Sequence, residues 1–196
     1  MATAIDIVNL AISDCGCALI TTFDDLTPEA RVAKAKYSFV KDAVLESREW
    51  SFAKQRILLN KDPAVPAFGY AFQFILPSTI LRVIRIYDAT GAAYNSPLVG
   101  WVREGYRILT NTDAPIYAEV LVRVDEGSFS PGMVLALAAR LVSVMAIPLT
   151  ENRQLAKDNL DFYGELMKDA GAMDGSQGTT QVIRPPALRG RQPSGI

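Results

Sequence analysis

The hydrophobic pattern changes period twice along the chain. Between residues 4 and 15, Ile5, Val8, Ile12 and Cys15 recur every three or four positions, which places them on one face of a helix. Thr3 stands where a cap is needed and Gly16 where the helix should stop. A connector with Thr21, Thr22, Asp24 and Asp25 follows. Thr27-Pro28-Glu29 then opens a second helix: threonine as N-cap, proline at the first helical position, glutamate at the positive end of the dipole. Its apolar stripe, Ala33, Tyr37, Val40 and Val44, continues to about Trp50. The opposite face carries Lys34, Lys41, Glu46 and Arg48, the pattern of a helix packed on one side only.

The middle of the chain reads as strands. Ile57-Leu58-Leu59 is a short apolar run, Tyr70 to Leu76 is rich in aromatic and β-branched residues, and Ile80 to Tyr87 is close to strand register. Pro63, Pro66, Pro77, Pro97, Gly69, Gly91, Gly100 and Gly105 punctuate the region, and Asp88-Ala89-Thr90-Gly91 predicts a turn. Ile116 to Asp125 is the clearest strand. Ile116, Ala118, Val120, Val122 and Val124 point one way, and Tyr117, Glu119, Arg123 and Asp125 the other. Five or six strands are expected here.

Helical spacing then returns. Ser130-Pro131 repeats the cap-then-proline opening, and Val134 to Ile147 is apolar nearly all round, which predicts a helix at the centre of the fold. Thr150 is the expected cap of a last helix. Leu155, Phe162 and Leu166 line its apolar face, Leu160, Tyr163 and Met167 widen it, and Gly171 is the expected end. Trp50, Phe52, Leu137, Leu141 and Phe162 are the expected core anchors. The fold class is α+β: a four-helix core of two N-terminal and two C-terminal helices, a β-rich insert, and an extended C-terminal arm. The boundaries are 1–54 for the first helices, 55–128 for the insert, 129–171 for the closing helices and 172–196 for the arm.

Composition narrows the chemistry. With 49% of 196 residues hydrophobic, the chain can bury a core, and its net charge of −1 lacks the basic excess of a nucleic-acid footprint. There is no histidine, which removes Ser-His-Asp and Cys-His machinery and the usual histidine zinc ligands. Cys15 and Cys17 are one residue apart, a spacing of neither redox nor zinc-knuckle type, and read as small buried thiols. The start lacks a basic region followed by an apolar run, so no signal peptide is expected. Met133 to Leu149, interrupted by Arg140 and ended by Pro148, reads as too short to span a membrane, and no membrane insertion is expected.

No phosphate-binding glycine loop is present. Asp24-Asp25 reads as a solvated turn. Glu104, Glu119 and Glu126 are scattered through the strand region, and nothing marks two of them as a hydrolytic pair. Arginine and aromatic residues mix at Arg82 to Tyr87 and at Trp101 to Arg107. That mixture suits a single-stranded nucleic-acid surface, but cross-strand packing with arginine on the solvent side is the preferred reading. No catalytic residue, metal or cofactor is assigned. The final segment has no acid after Asp174 and carries Arg184, Arg189 and Arg191 beside the apolar Val182, Ile183 and Leu188. It reads as a basic arm that orders on a partner.

Four segments carry a resemblance. They are Glu49-Trp50-Ser51-Phe52-Ala53; Tyr70-Ala71-Phe72-Gln73-Phe74-Ile75-Leu76-Pro77 with Leu81-Arg82-Val83; Tyr106-Arg107-Ile108-Leu109-Thr110 with Ala114-Pro115-Ile116-Tyr117; and Arg123-Val124-Asp125 with Phe129-Ser130-Pro131 and Leu149-Thr150-Glu151. In order and spacing the chain resembles, over residues 1–175, the tail tubular protein A family, the head-to-tail adaptors or gatekeepers of short-tailed phages. The resemblance implies a non-enzymatic virion protein of the neck and tail, assembled in the host cytoplasm as a ring of twelve copies. It implies as partners the portal protein, the tail nozzle or tail tube, and the genomic DNA that passes through the channel. The helical core would meet the portal. The insert, with Tyr87, Asp88, Tyr94, Trp101 and Arg103, would face the tail. The arm, with Val182, Ile183, Arg184, Leu188, Arg189 and Arg191, would reach the portal or a neighbouring copy.

Overall fold

The computed structural model describes residues 2–89 and 96–176. Among these lie four helices, α1 (Ala4–Asp14), α2 (Pro28–Glu46), α3 (Pro131–Thr150) and α4 (Arg153–Gly175). Six strands separate the two helix pairs: β1 (Lys54–Lys61), β2 (Phe72–Ile75), β3 (Ile80–Asp88), β4 (Val102–Glu104), β5 (Arg107–Thr110) and β6 (Ile116–Val122). The fold is α+β, with the strands in one curled antiparallel sheet of order β3-β6-β1-β2-β5-β4.

The helix starts follow from side-chain caps. Thr3, Thr27 and Ser130 each accept a bond from a backbone N–H three residues on, and Thr3 and Asp6 complete a capping box. Four helix ends differ from expectation, the first being that of α2, which stops at Glu46 and does not reach Trp50. Asn152, not Thr150, caps α4, because the Thr150 hydroxyl turns back to the Ala146 carbonyl at 2.8 Å and makes the last turn of α3. Pro148 lies inside α3 instead of ending it. Gly171 does not end α4, which continues to Gly175 because Asp174 gains partners beyond it. The turn expected at residues 88–91 runs into residues outside those described.

The central helix is α3, which packs on α1, α2 and α4. It is long and apolar enough to cross a membrane, contrary to the sequence reading; half of it is buried inside the fold, and that core position accounts for its composition. Its contact with α4 is close: a Cβ added at Gly132 would fall 2.9 Å from Cβ of Ala170. Small residues therefore dominate the buried side of α4, namely Ala156, Ala170 and Gly171.

The helices share one hydrophobic cluster with Leu81 and Leu121 from the sheet. The inside of the curl holds a second, built from Leu59, Phe74, Ile86, Ile108, Ile116 and Val120 among others. Strand β6 lies between the two, so both its faces are largely buried: Val120 faces the curl and Leu121 the helices. Register shifts in β3, at Ile80/Arg82 and Val83/Arg85, supply the bend that bulges give a sheet.

Candidate functional site

Three of the four resemblance segments come together where the helices meet the sheet. Trp50 is fully buried, and its Nε1 donates to the Val44 carbonyl at 3.2 Å. Its ring stacks on Phe52 at 5.6 Å, and Phe52 meets Phe129 at 5.8 Å. This aromatic row joins the start of β1 to the start of α3.

Ion pairs surround the row. Arg123 gives one nitrogen to Asp42 of α2 at 2.8 Å and another to the Ser78 carbonyl at 2.8 Å, so one side chain ties α2 to the β2–β3 turn. Glu126, in the short 3₁₀ turn Glu126–Ser128, accepts from Lys41 Nζ at 2.8 Å and from the Tyr37 hydroxyl at 2.9 Å. Burial would raise the Glu126 pKa, but the Lys41, Tyr37 and backbone hydrogen bonds outweigh it and hold the carboxyl below its ordinary value. Tyr37 is pushed up, first by burial and then by Glu126. On the far side Glu49 reaches Lys54 at 3.2 Å and Arg82 at 3.6 Å. These partners are far apart in sequence, and the only local hint was that Tyr37 and Lys41 share a helical face at spacing four.

The expected core anchors separate. Trp50, Leu137 and Leu141 are buried, and Phe52 is half-buried against the same cluster. Phe162 is corrected: it is 55% exposed, because α4 turns Ala156, Ala170, Tyr163 and Met167 toward the helical core and leaves Phe162 off that side. Tyr87 and Asp88 end β3. Trp101 packs half-buried against the sheet cluster. Arg103, on edge strand β4, donates to the Leu81 carbonyl of the opposite edge strand β3 at 2.9 Å and to the Gly105 carbonyl at 3.2 Å, so it bridges the open side of the curl. Tyr94 and the arm residues Val182, Ile183, Arg184, Leu188, Arg189 and Arg191 lie outside the described residues.

The arginines of the mixed aromatic segments are engaged: Arg82 with Glu49, Arg85 with Glu119 at 3.1 Å, and Arg107 with Asp62 at 3.0 Å. Asp25 accepts from the backbone of Thr21 and Thr22, and Asp24 pairs with Lys34, as a solvated turn should. Among the described residues no three acids and cysteines gather as a metal site. Cys15 is raised to about 11, by burial first and then by Cys17 and Asp14, so it is a thiol at neutral pH. A groove of about 360 Å³ runs beside the β1–β2 loop, lined by Lys61, Pro63, Val65 and Phe72 among others. Lys61 lies 4.1 Å from the Phe72 ring centre and pairs with Asp113.

Sequence reading missed several exposed apolar residues: Phe39 on α2 (76% exposed), Leu26 before it, and Phe68 (88% exposed), Val65 and Val99 in the sheet loops. Phe39 lies off the Ala33-Tyr37-Val40-Val44 stripe, which is the signal that could have found it. A comparison of the chain with protein-family models and with curated proteins gave no match.

Proposed function

We propose that this chain is a structural, non-enzymatic subunit of a tailed-phage virion, a head-to-tail adaptor whose copies close into a ring between the portal and the tail nozzle or tube. The observation that carries the reading is the junction of helices and sheet, where Trp50, Phe52, Arg123 and Phe129 of the resemblance segments meet. An adaptor needs two differently built ends held at a set angle. The aromatic row and the Arg123–Asp42 and Glu126–Lys41 pairs supply that rigidity.

In this reading the helices form an antiparallel four-helix core that makes the ring wall and meets the portal. The curled sheet, with Tyr87, Asp88, Trp101 and Arg103, faces the tail. Exposed Phe39 and Leu26 on the helical side, and Phe68 and Val99 on the sheet side, are apolar contacts for neighbours at each end. Head-to-tail contacts that close by rotation give a cyclic ring, twelve copies by the resemblance, with genomic DNA passing through. A single-stranded nucleic-acid module is the weaker reading, because Arg82, Arg85 and Arg107 are engaged with carboxylates.

Electron microscopy of this protein mixed with purified portal of the same phage tests the proposal. A joint particle with a ring added below the portal is the expected result. Intact portals that stay bare at micromolar concentrations of the adaptor would sink it.

A further inference from the structure

The outer face of the sheet is covered by the helices only in part. On β6, Leu121 packs in the helical cluster, and Glu119 and Tyr117 follow it on the same face. In register beside them stand Arg56 and Leu58 of β1 and Arg85 of β3. Arg85 gives one nitrogen to Glu119 at 3.1 Å, yet half of its side chain stays in solvent while Glu119 is buried. Arg56 is exposed and forms no ion pair among the described residues. Leu58 and Tyr117 are 55% and 38% exposed. The flank β3–β6–β1 thus presents two arginines above a buried acid and, one step further along the strands, an uncovered apolar pair.

The outward side of α4 has the complementary chemistry. Leu155, Ala156, Tyr163, Met167 and Ala170 pack on the helical core. The opposite side carries Asp158, Asp161, Glu165 and Asp169, all exposed, at the three- and four-residue spacing that makes a row on a helix. Phe162 and Met173, 55% and 70% exposed, stand along its edge. Lys168 meets only Glu165, at 3.6 Å in solvent. No other helix among the described residues carries such an acidic row. We infer that the acidic face of α4 in one copy docks on the β3–β6–β1 flank of the next, with the acids on Arg56 and Arg85 and Phe162 against Leu58 and Tyr117. The spacings agree. Asp158 and Glu165 stand about two helical turns, or about 10.5 Å, apart, and Arg56 and Arg85 two strand spacings, or about 10 Å, apart. Within one chain α4 packs on α3 with its acids turned outward, so the occupant is a second copy. Charge sets partner and register, and burial of the apolar side chains holds the contact. The two surfaces differ, so the contact is head-to-tail and every copy keeps one face of each kind for a further neighbour. For closure into a ring the inference rests on the adaptor reading; the contact itself rests on the two faces.

Sedimentation of the full chain at low salt, over a hundredfold range of concentration that reaches the millimolar, is the test. Two variants each block one face: Arg56→Glu/Leu58→Glu on the sheet and Phe162→Glu on α4. These side chains are exposed enough to leave the fold intact, as circular dichroism would verify. The wild type is expected to grow from its 21.4 kDa monomer as concentration rises, and to grow less as salt is added. Either variant alone should need at least about tenfold more protein to associate. An equimolar mixture of the two should form pairs of one copy of each, because one intact face of each kind remains and the blocked faces set acid against acid. A wild type that stays monomeric throughout, variants that associate as it does, or a mixture that forms no pairs would overturn the inference. A monomeric chain whose flank binds single-stranded DNA, with loss on Arg56→Glu, would also overturn it by assigning the flank to nucleic acid. Failure here is separable from failure of the adaptor reading: a ring that forms on the portal from copies without this contact keeps that reading and discards only the contact.

Discussion

Asp174 in the last turn of α4 accepts two hydrogen bonds from Ser51, 123 residues earlier: one from the backbone N–H at 2.9 Å and one from Oγ at 2.5 Å. Asp174 is buried and Ser51 sits in the link between α2 and β1, so the pair pins the end of the last helix to the start of the sheet. Arg48 reinforces the clamp by donating to the Met167 carbonyl at 3.2 Å. Replacing Asp174 by Ala leaves the Ser51 N–H without its acceptor and should cost about 1–3 kcal/mol. Urea unfolding would measure the loss. Hydrogen exchange should show the faster opening concentrated in residues 167–176, and a uniform change across all helices would contradict the clamp.

Glu126 makes stability depend on acid. Its folded pKa lies below its unfolded value of about 4.5, so its contribution is present above that value and fades as pH falls through the lower folded value. Glu126→Gln should flatten the acid limb of the stability–pH curve and reduce stability at pH 7, where Lys41 loses its partner. Equal acid limbs in the two proteins would show that the pair adds nothing.

Arg103 should report on the curl. Arg103→Ala removes the bond to the Leu81 carbonyl between the two edge strands, at a cost of about 1 kcal/mol. Trp101 packs on the sheet cluster near the bridge, whereas Trp50 is enclosed by the helices. Tryptophan emission should therefore move to the red and become more accessible to iodide for one of the two indoles. An unchanged spectrum would mean that packing alone keeps the sheet curled.

The cysteines should react unequally. Cys15 is buried with its thiol raised to about 11, and Cys17 is half-buried. An Ellman titration of the native protein should find one thiol that reacts ahead of the other, with Cys15 released only by denaturant. Two thiols reacting together would place Cys15 nearer solvent than its burial in the helical core cluster requires.

Trp50 should be the costliest single truncation at the junction. Trp50→Ala removes a fully buried indole, its bond to Val44 and its stacking on Phe52, for a loss of about 3–5 kcal/mol. Phe52→Ala, half-buried in the same row, should cost less; calorimetry would rank the two.

The starts of α1, α2 and α3 were legible because a cap acts within three residues, and Thr3, Thr27 and Ser130 cap where expected. The strand region was legible from its alternation and its punctuation. The junction was not. Lys41 and Glu126 are 85 residues apart, and neither residue alone signals the other. Phe162 was misread for a related reason: periodicity locates an apolar face but not which face a neighbouring helix will take.

The amino-acid sequence alone determined the α+β class, the order of helices and strands, and the central place of the apolar α3, because local hydrogen bonding and hydrophobic periodicity act over a few residues. Only the tertiary structure decided which side chains of α4 go in: Ala156 and Ala170 are buried, with Tyr163 and Met167 packed beside them, and Phe162 and Met173 are not. The close approach at Gly132 and Ala170 admits small residues and leaves Phe162 and Met173 outside. The curl of the sheet likewise came from contacts between distant strands, with Arg103 reaching across to Leu81. Such contacts depend on shape and distance in three dimensions, which no short window of sequence contains.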